Sequence, residues 1–251
     1  MSVQTQGIIA HILVSFFWGI AAPIVKMALN QGLAPFTFVF LRMILALFIL
    51  FPFFITRVAK TKIERADVSK IILIGILGIA LNIGLYFAGL NLTSVTDASV
   101  LVATTSIFTT LAAIFFLKEK VNRLTMIGIG LSFTGTVVII IQPVLENGLF
   151  KLENILGNFL ILLAVLAWVG YTIVNKEVGQ KYDSLVLTYI PFGIGAIVFF
   201  PLASGDVLNP VFYSSLTPFL IFAILFETVF ATIFTYFLFI WGLRFISATT
   251  A

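Results

Sequence analysis

The chain has no cysteine, one histidine and very few charges. Without cysteine there are no disulfides, iron–sulfur clusters or thiolate zinc sites. Charged residues make up 10% of the 251 positions, less than half the roughly one quarter typical of soluble domains. Hydrophobic residues supply 61% and the mean hydropathy is +1.19, so much of the surface is suited to lipid. The lone histidine, His11, leaves no His-Glu-x-x-His zinc motif, and no Gly-Lys-Ser/Thr phosphate loop is present for ATP hydrolysis. Paired intramembrane aspartates are also lacking, so neither an enzyme nor a bound cofactor is expected. The net charge of +4 is not a nucleic-acid signal, because the basic residues gather in loops between apolar runs. The N-terminus has no basic n-region and leads into a run of full membrane length, which argues against a cleaved signal peptide.

A membrane-spanning helix needs about 20 mainly apolar residues. Such runs lie at Ile8–Leu29, Phe36–Ile55, Ile71–Leu90, Ala98–Leu117, Leu124–Ile141, Gly157–Val174, Leu185–Ala203 and Pro218–Leu243, and Ser247 opens another. Asn30-Gln31-Gly32, Gln142-Pro143 and Asn209-Pro210 supply turn chemistry between them. Ser94 to Asp97 has the spacing of a capping box, so Asp97 is read as a helix cap. Arg57, Lys60, Lys62, Arg65 and Lys70, then Lys118, Lys120 and Arg123, then Lys176 and Lys181, and finally Arg244 all fall in alternate loops. The intervening loops offer only Lys151. By the positive-inside rule, the basic side and the N-terminus are expected to be cytoplasmic, in a multi-pass protein of the cell membrane.

The sequence also echoes itself. Gly7, Trp18 and Lys26 return at one constant shift as Gly157, Trp168 and Lys176. Phe51-Pro52 is answered by Phe200-Pro201, and Gly89-Leu90 with Ser94, Thr96 and Ala98 by Gly242-Leu243 with Ser247, Thr249 and Ala251. An odd number of spans in the first copy makes the second enter the membrane from the opposite side. Inverted repeats of this kind support alternating access, with substrate bound at the repeat interface.

With these marks the chain resembles the EamA-type members of the drug/metabolite transporter superfamily. The resemblance rests on Trp18-Gly19 with Lys26, Leu41-Arg42, Gly89-Leu90 with Thr93-Ser94, Phe116-Leu117 with Glu119-Lys120, Gly128 through Gly135, and Tyr236 with Gly242-Leu243-Arg244. These are packing and topology marks, specific in combination, and none is a catalytic signature. The resemblance implies an all-α polytopic membrane protein of ten helices in two inverted five-helix repeats. Residues 1–142 would form the first repeat and 157–251 the second, incomplete at its C-terminus. Because the ninth helix only begins before Ala251, the chain is expected to be a fragment of such a fold. The family exports or exchanges small organic metabolites through a central cavity, and homodimers occur among its small relatives. Ser106 stands where the family usually has proline, so that helix is expected to be less kinked. Glu227 stands where a small residue is usual.

Charged side chains inside a span cost about 2.5–3.5 kcal/mol each on insertion scales. Three qualify as candidates for substrate or ion contact: Lys26, Arg42 and Glu227. Lys26 is near a helix end, where it can either snorkel or hold an anionic substrate, and Arg42 invites the same pair of readings. Glu227 is deep in its span, out of reach of the headgroups, so it is expected to be protonated, paired or facing a wet cavity. Pairing with Asn82 or Arg42 is the structural alternative to carrying protons. Trp18, Asn82, Tyr86, Trp168, Tyr171 and Tyr236 stand at similar depth, and Asn82 and Tyr86 share one helical face, as do Thr232 and Tyr236. Ser15/Gly19, Gly75/Gly78, Ala80/Gly84 and Gly128/Ser132 are read as close-packing pairs, and Pro23 and Pro191 as kinks.

The function expected is a secondary transporter for a small metabolite, coupled to protons or to an exchanged solute. A nucleotide-sugar or lipid-like carrier on the same fold is the alternative; a membrane-embedded enzyme lacks its usual residues. The orientation can be checked directly, since a cysteine-free chain accepts single reporters cleanly. A cysteine at Lys62 should resist an impermeant maleimide added outside intact cells and react once the membrane is opened; labelling from outside would overturn the orientation.

Overall fold

A computed structural model describes residues 3–116, 118, 123–124, 126–131, 133–134 and 152–247. Every regular element among them is helical: α1 (Val3–Asn30), α2 (Pro35–Thr56), a 3-10 turn (Val58–Lys60), α3 (Arg65–Gly75), α4 (Asn82–Leu92), α5 (Val95–Ala103) and α6 (Thr105–Phe116). Then come α7 (Leu152–Val178), α8 (Val186–Val207), α9 (Pro210–Ser214), α10 (Pro218–Thr228) and α11 (Thr235–Leu243). Six-residue π-helical stretches, Ile76–Leu81 and Val229–Phe234, join α3 to α4 and α10 to α11. Counted as continuous spans, the described residues hold seven helices long and apolar enough to cross a membrane. Half of the run expected at Leu124–Ile141 lies outside the described residues, as do Glu119, Lys120, Ser132, Gly135, Gln142-Pro143, Lys151, Thr249 and Ala251.

Local chemistry sets the helix ends. Gly32, at φ +90°, closes α1; its N–H and that of Leu33 return to the carbonyls of Leu29 and Ala28, in the left-handed arrangement that glycine adopts without strain. Ser94, rather than Asp97, is the N-cap of α5, its hydroxyl accepting from the Asp97 N–H at 3.0 Å. The Asp97 carboxylate instead accepts from the Thr93 hydroxyl at 3.2 Å. Although proline is missing at Ser106, this span still breaks: a turn at Thr104 separates α5 from α6. The Thr104 and Ser106 hydroxyls donate back to the Leu101 and Ala103 carbonyls, a competition with the helical ladder that bends helices. Pro23 and Pro191 lie inside helices that continue past them.

The helices related by the sequence echo make matching contacts. Gly7 of α1 lies against the Gly242 carbonyl of α11, and Gly157 of α7 against the Gly89 carbonyl of α4. Lys26 donates to the carbonyls of Leu90 (2.8 Å) and Asn91 (3.1 Å) at the end of α4. Lys176 donates to those of Leu243 (2.7 Å) and Ile246 at the end of α11. The C-terminal part of α1 and the N-terminal part of α7 therefore share one side of the bundle. These two helices run antiparallel and cross where the Trp18 and Trp168 rings meet edge to face, 5.1 Å apart. α2 packs along α8.

Of the small residues read as packing pairs, Gly75 faces Ile194, Gly78 faces the ring of Tyr171 and Gly84 faces Phe199, each too close to admit a methyl group. Among the described residues nothing lies within 4 Å of a Cβ added at Gly19 or Gly128, so no contact there supports the packing reading. At Gly89 an added Cβ would come within 2.7 Å of the Gly157 carbonyl, a backbone atom that cannot swing aside. Gly89→Ala should therefore cost about 1–3 kcal/mol by overpacking, seen as a lower thermal unfolding midpoint in detergent. Gly193→Ala, with nothing within 4 Å, is the matched control; equal losses at both sites would refute this account of the α4–α7 contact.

Candidate functional site

A cavity of about 520 Å³ runs along α1 from His11 to Val25, bounded by α2, α4, α5, α6, α7 and the segment from Glu227 to Phe239. Seven of the residues singled out from the sequence line it: Trp18, Arg42, Asn82, Tyr86, Trp168, Glu227 and Tyr236. Two do not. Lys26 is not part of the lining, and its ammonium donates to the α4 carbonyls of Leu90 and Asn91. Tyr171 is fully buried behind the wall, stacked on Trp168 at 4.6 Å and filling the space left by Gly78.

The centre of the site is an ion pair. Arg42 Nη1 lies 3.0 Å from Glu227 Oε2, with both side chains almost wholly buried. Arg42 Nε donates to the Thr232 hydroxyl at 2.7 Å, and Nη2 to the Ala231 carbonyl at 3.4 Å. The guanidinium also stands over the Phe87 ring, 5.2 Å from its centre. All three of its nitrogens are engaged, whereas Glu227 Oε1 is buried without a protein partner. Asn82 is occupied too, its amide donating to the Ala164 carbonyl at 2.9 Å.

The π-helical stretches explain where these donors find acceptors. A π turn takes carbonyls out of the ordinary helical ladder, and such turns recur at functional sites. Ala231, inside the second stretch, accepts from Trp18 Nε1 at 3.1 Å and from the Thr235 hydroxyl at 2.8 Å as well as from Arg42. Gly78, inside the first, accepts from the Tyr236 hydroxyl at 3.2 Å. Trp18, Trp168, Tyr236 and Phe239 interlock with mostly edge-on or tilted rings, Trp168 lying 4.8 Å from Phe239. The cavity thus has aromatic walls and one strongly polar point.

His11 was not singled out for binding from the sequence, yet it lines the same cavity. Its Nδ1 lies 3.0 Å from the Gly7 carbonyl, an acceptor, so Nδ1 carries the hydrogen. Nε2 is buried without a protein partner and, in the neutral ring, presents a lone pair. The sequence signal was its place about two turns before Trp18. Ser99, Thr105 and Thr109, further along the wall, carried no sequence signal.

At the end of the bundle where the basic loops gather, the end of α2 and the start of α3 are tied to the end of α7 and the segment before α8. Asp67 accepts from Lys181 at 3.0 Å and from the Tyr182 hydroxyl at 2.9 Å. The hydrogen bond to Asp67 raises the pKa of Lys181 above the ordinary lysine value. Lys70 pairs with Glu177, and Arg57 stands 4.0 Å from Asp183. The opposite end has neutral or singly charged links: Thr37 to Asp206, Thr93 to Asn158 at 2.7 Å and Thr217 to Gln31 at 3.0 Å.

The sequence matches the EamA-like transporter family over residues 5–141 and again over 155–251, and the chain belongs to that family. It is a multi-pass membrane transporter. An uncharacterized transporter of Archaeoglobus fulgidus is 27% identical over 237 residues, which span 94% of this chain and 78% of the relative. One from Clostridium kluyveri is 27% identical over 217 residues, covering 82% and 70%. A crystal structure 14% identical in sequence superposes with a TM-score of 0.59 over 96% of this chain and 78% of its own, a likeness of fold.

Breaking a buried ion pair by removing one partner costs about 3–5 kcal/mol, whereas replacing both partners by apolar residues is often nearly neutral. Glu227→Ala should accordingly lower the stability of the detergent-solubilised protein by about that amount. The double variant Arg42→Met/Glu227→Leu should recover most of it. A double variant as unstable as the single one would mean that the pair is not an isolated unit.

Proposed function

We propose that the chain acts as a secondary transporter, exporting or exchanging a small organic metabolite by alternating access between two inverted repeats, within residues 1–142 and 157–251. The matching contacts of Gly7 with Gly242 and of Gly157 with Gly89, those of Lys26 with Leu90 and of Lys176 with Leu243, and the antiparallel run of α1 and α7, support the inverted pairing. The observation that carries the mechanism is the Arg42–Glu227 pair in the cavity wall. It joins a helix of one repeat to a helix of the other, at the point where a bound solute would be held. The one-sided basic loops support a cytoplasmic N-terminus in the cell membrane.

The free polar atoms favour one substrate chemistry. Among the described residues lining the cavity, Arg42 is engaged at every nitrogen, and the unpartnered buried atoms are Glu227 Oε1 and His11 Nε2. Both accept hydrogen bonds. A metabolite presenting an amine and an apolar or aromatic body fits them and the aromatic walls. A nucleotide sugar or a phospholipid would bring phosphate, to which the two buried unpartnered atoms offer no donor. A proton is the alternative occupant of Glu227: the charged or titratable groups around it in the cavity are Arg42, Tyr86, Tyr236 and His11. Competition between proton and substrate for one carboxylate is sufficient for coupling.

Glu227→Gln keeps the shape of the side chain and removes its ability to ionise. In sealed proteoliposomes, with a panel of labelled metabolites, the substitution should abolish accumulation driven by a pH gradient while leaving counterflow within about threefold. Unchanged gradient-driven uptake would make Glu227 structural. Counterflow by the parent protein of none of the panel would refute the transport reading at this cavity.

A further inference from the structure

A second cleft, of about 560 Å³, opens between α2, α11 and the segment joining α7 to α8. Its polar lining is Arg57, Asp183, Ser184 and Arg244. Arg57 follows the last residue of α2 and Arg244 the last of α11, so two cations sit at the ends of adjacent membrane helices, at headgroup level. The apolar lining continues from them into the span. Ile233, Phe237 and Trp241 recur every four residues along one helical face, and Leu50 and Phe53 form the facing wall on α2. Phe53 is half exposed, which leaves the trough open toward lipid.

The hydrogen-bonding state of the lining is specific. Asp183 is already used: one carboxylate oxygen accepts from the Leu185 N–H at 2.8 Å, and the other stands 4.0 Å from Arg57. The Arg57 guanidinium remains about two-thirds exposed. Arg244 gives Nη2 to the Tyr182 carbonyl, while its Nε–H is buried with no acceptor among the described residues. The Ser184 hydroxyl, 2% exposed as a residue, also lacks a partner among them. The unmet groups are thus an N–H that can only donate and a hydroxyl that can donate, beside two cations offset by one carboxylate.

We propose that this cleft binds an anionic phospholipid, with its phosphate between Arg57, Arg244 and Ser184 and an acyl chain along Ile233, Phe237 and Trp241. Charge complementarity selects the phosphate, since guanidinium groups and hydroxyls match its oxygens. The apolar trough selects a lipid over a free anion. Basic pockets between membrane helices hold lipid headgroups on the same physical grounds. The bound lipid would bridge α2 to α11, the elements that carry Arg42 and the segment after Glu227, so its occupancy would bear on the seam across which the halves move. The site does not depend on the identity of the transported solute.

The test uses the purified chain in detergent with dioleoyl-phosphatidylglycerol, dioleoyl-phosphatidylcholine or inorganic phosphate, with retained lipid counted by native mass spectrometry and stability read from the thermal midpoint. One copy of the phosphatidylglycerol should be retained about tenfold better than the phosphatidylcholine and should raise the midpoint. Arg57→Gln and Arg244→Gln should each weaken retention about fivefold, the worth of one basic residue near an anionic surface. Lys60→Gln/Lys62→Gln, which removes two exposed lysines outside the cleft, should change it less than twofold. If Arg244→Gln does not fold, Arg57→Gln decides, because that side chain is largely exposed. Equal retention of the two lipids would overturn the proposal. So would a loss in the lysine variant as large as in the arginine variants, which would indicate diffuse attraction. Stabilisation by inorganic phosphate equal to that by the lipid would assign the site to a free anion and overturn it as well.

Discussion

The structure turns on a pair of opposite charges held where water is scarce. In a medium of low dielectric neither Arg42 nor Glu227 would be tolerated alone, and placing the two 3.0 Å apart repays only part of the desolvation cost. An arrangement this costly would be replaced by leucine if packing were all it supplied. What it supplies is a fixed polar point on an otherwise aromatic wall, with one carboxylate oxygen left over. The remaining donors of the guanidinium must be met locally, and the backbone is shaped to meet them.

That shaping is the work of the π-helical stretches. In an unbroken α-helix the mid-membrane carbonyls already serve the ladder and offer only their second lone pair, so a π stretch gives Trp18, Arg42 and Tyr236 better-exposed acceptors. Widening the helix at Ile76–Leu81 and Val229–Phe234 releases Gly78 and Ala231 as acceptors on the two sides of the cavity. The same segments admit bulky neighbours, with Tyr171 seated against Gly78. One backbone distortion, made at echoing places in the sequence, provides both the hydrogen bonds and the room for the aromatic cluster.

Much of this was legible in the sequence because membrane physics is strict. Runs of apolar residues had to be helices, since a spanning segment must satisfy its own backbone, and Arg42 with Glu227 stood out because charge is so rare there. The i to i+4 spacing of Asn82 and Tyr86 placed both correctly on one face. Other features follow from contacts between distant segments and left no local mark. Lys26 looked like a headgroup or substrate ligand, but the free carbonyls at the end of α4 lie within its reach only once the helices pack. Gly19 resembled a packing glycine and instead borders open space. Nothing in the composition of Ile76–Leu81 marks a π turn, because the choice between α and π is decided by the partners that claim the carbonyls.

The two ends of the bundle are built from different chemistry, and that difference bears on how it could open. At the basic end the ties are largely exposed ion pairs, such as Arg57 with Asp183 and Lys181 with Glu64. Exposed pairs contribute about 0–1 kcal/mol each and weaken with salt, so several can be exchanged for water at little cost. Buried Asp67 is the exception, since its two donors, Lys181 and Tyr182, both come from the other half of the chain and leaving it unmet would be far more expensive. At the opposite end the ties are hydroxyl and amide contacts, and the tight glycine packing of Gly89 against Gly157 there has its counterpart at the basic end in Gly7 against Gly242. Rocking of the halves, as proposed above, would therefore meet close glycine packing at both ends. The loops at the basic end would part through their exposed pairs, and the Asp67 cluster would set the barrier.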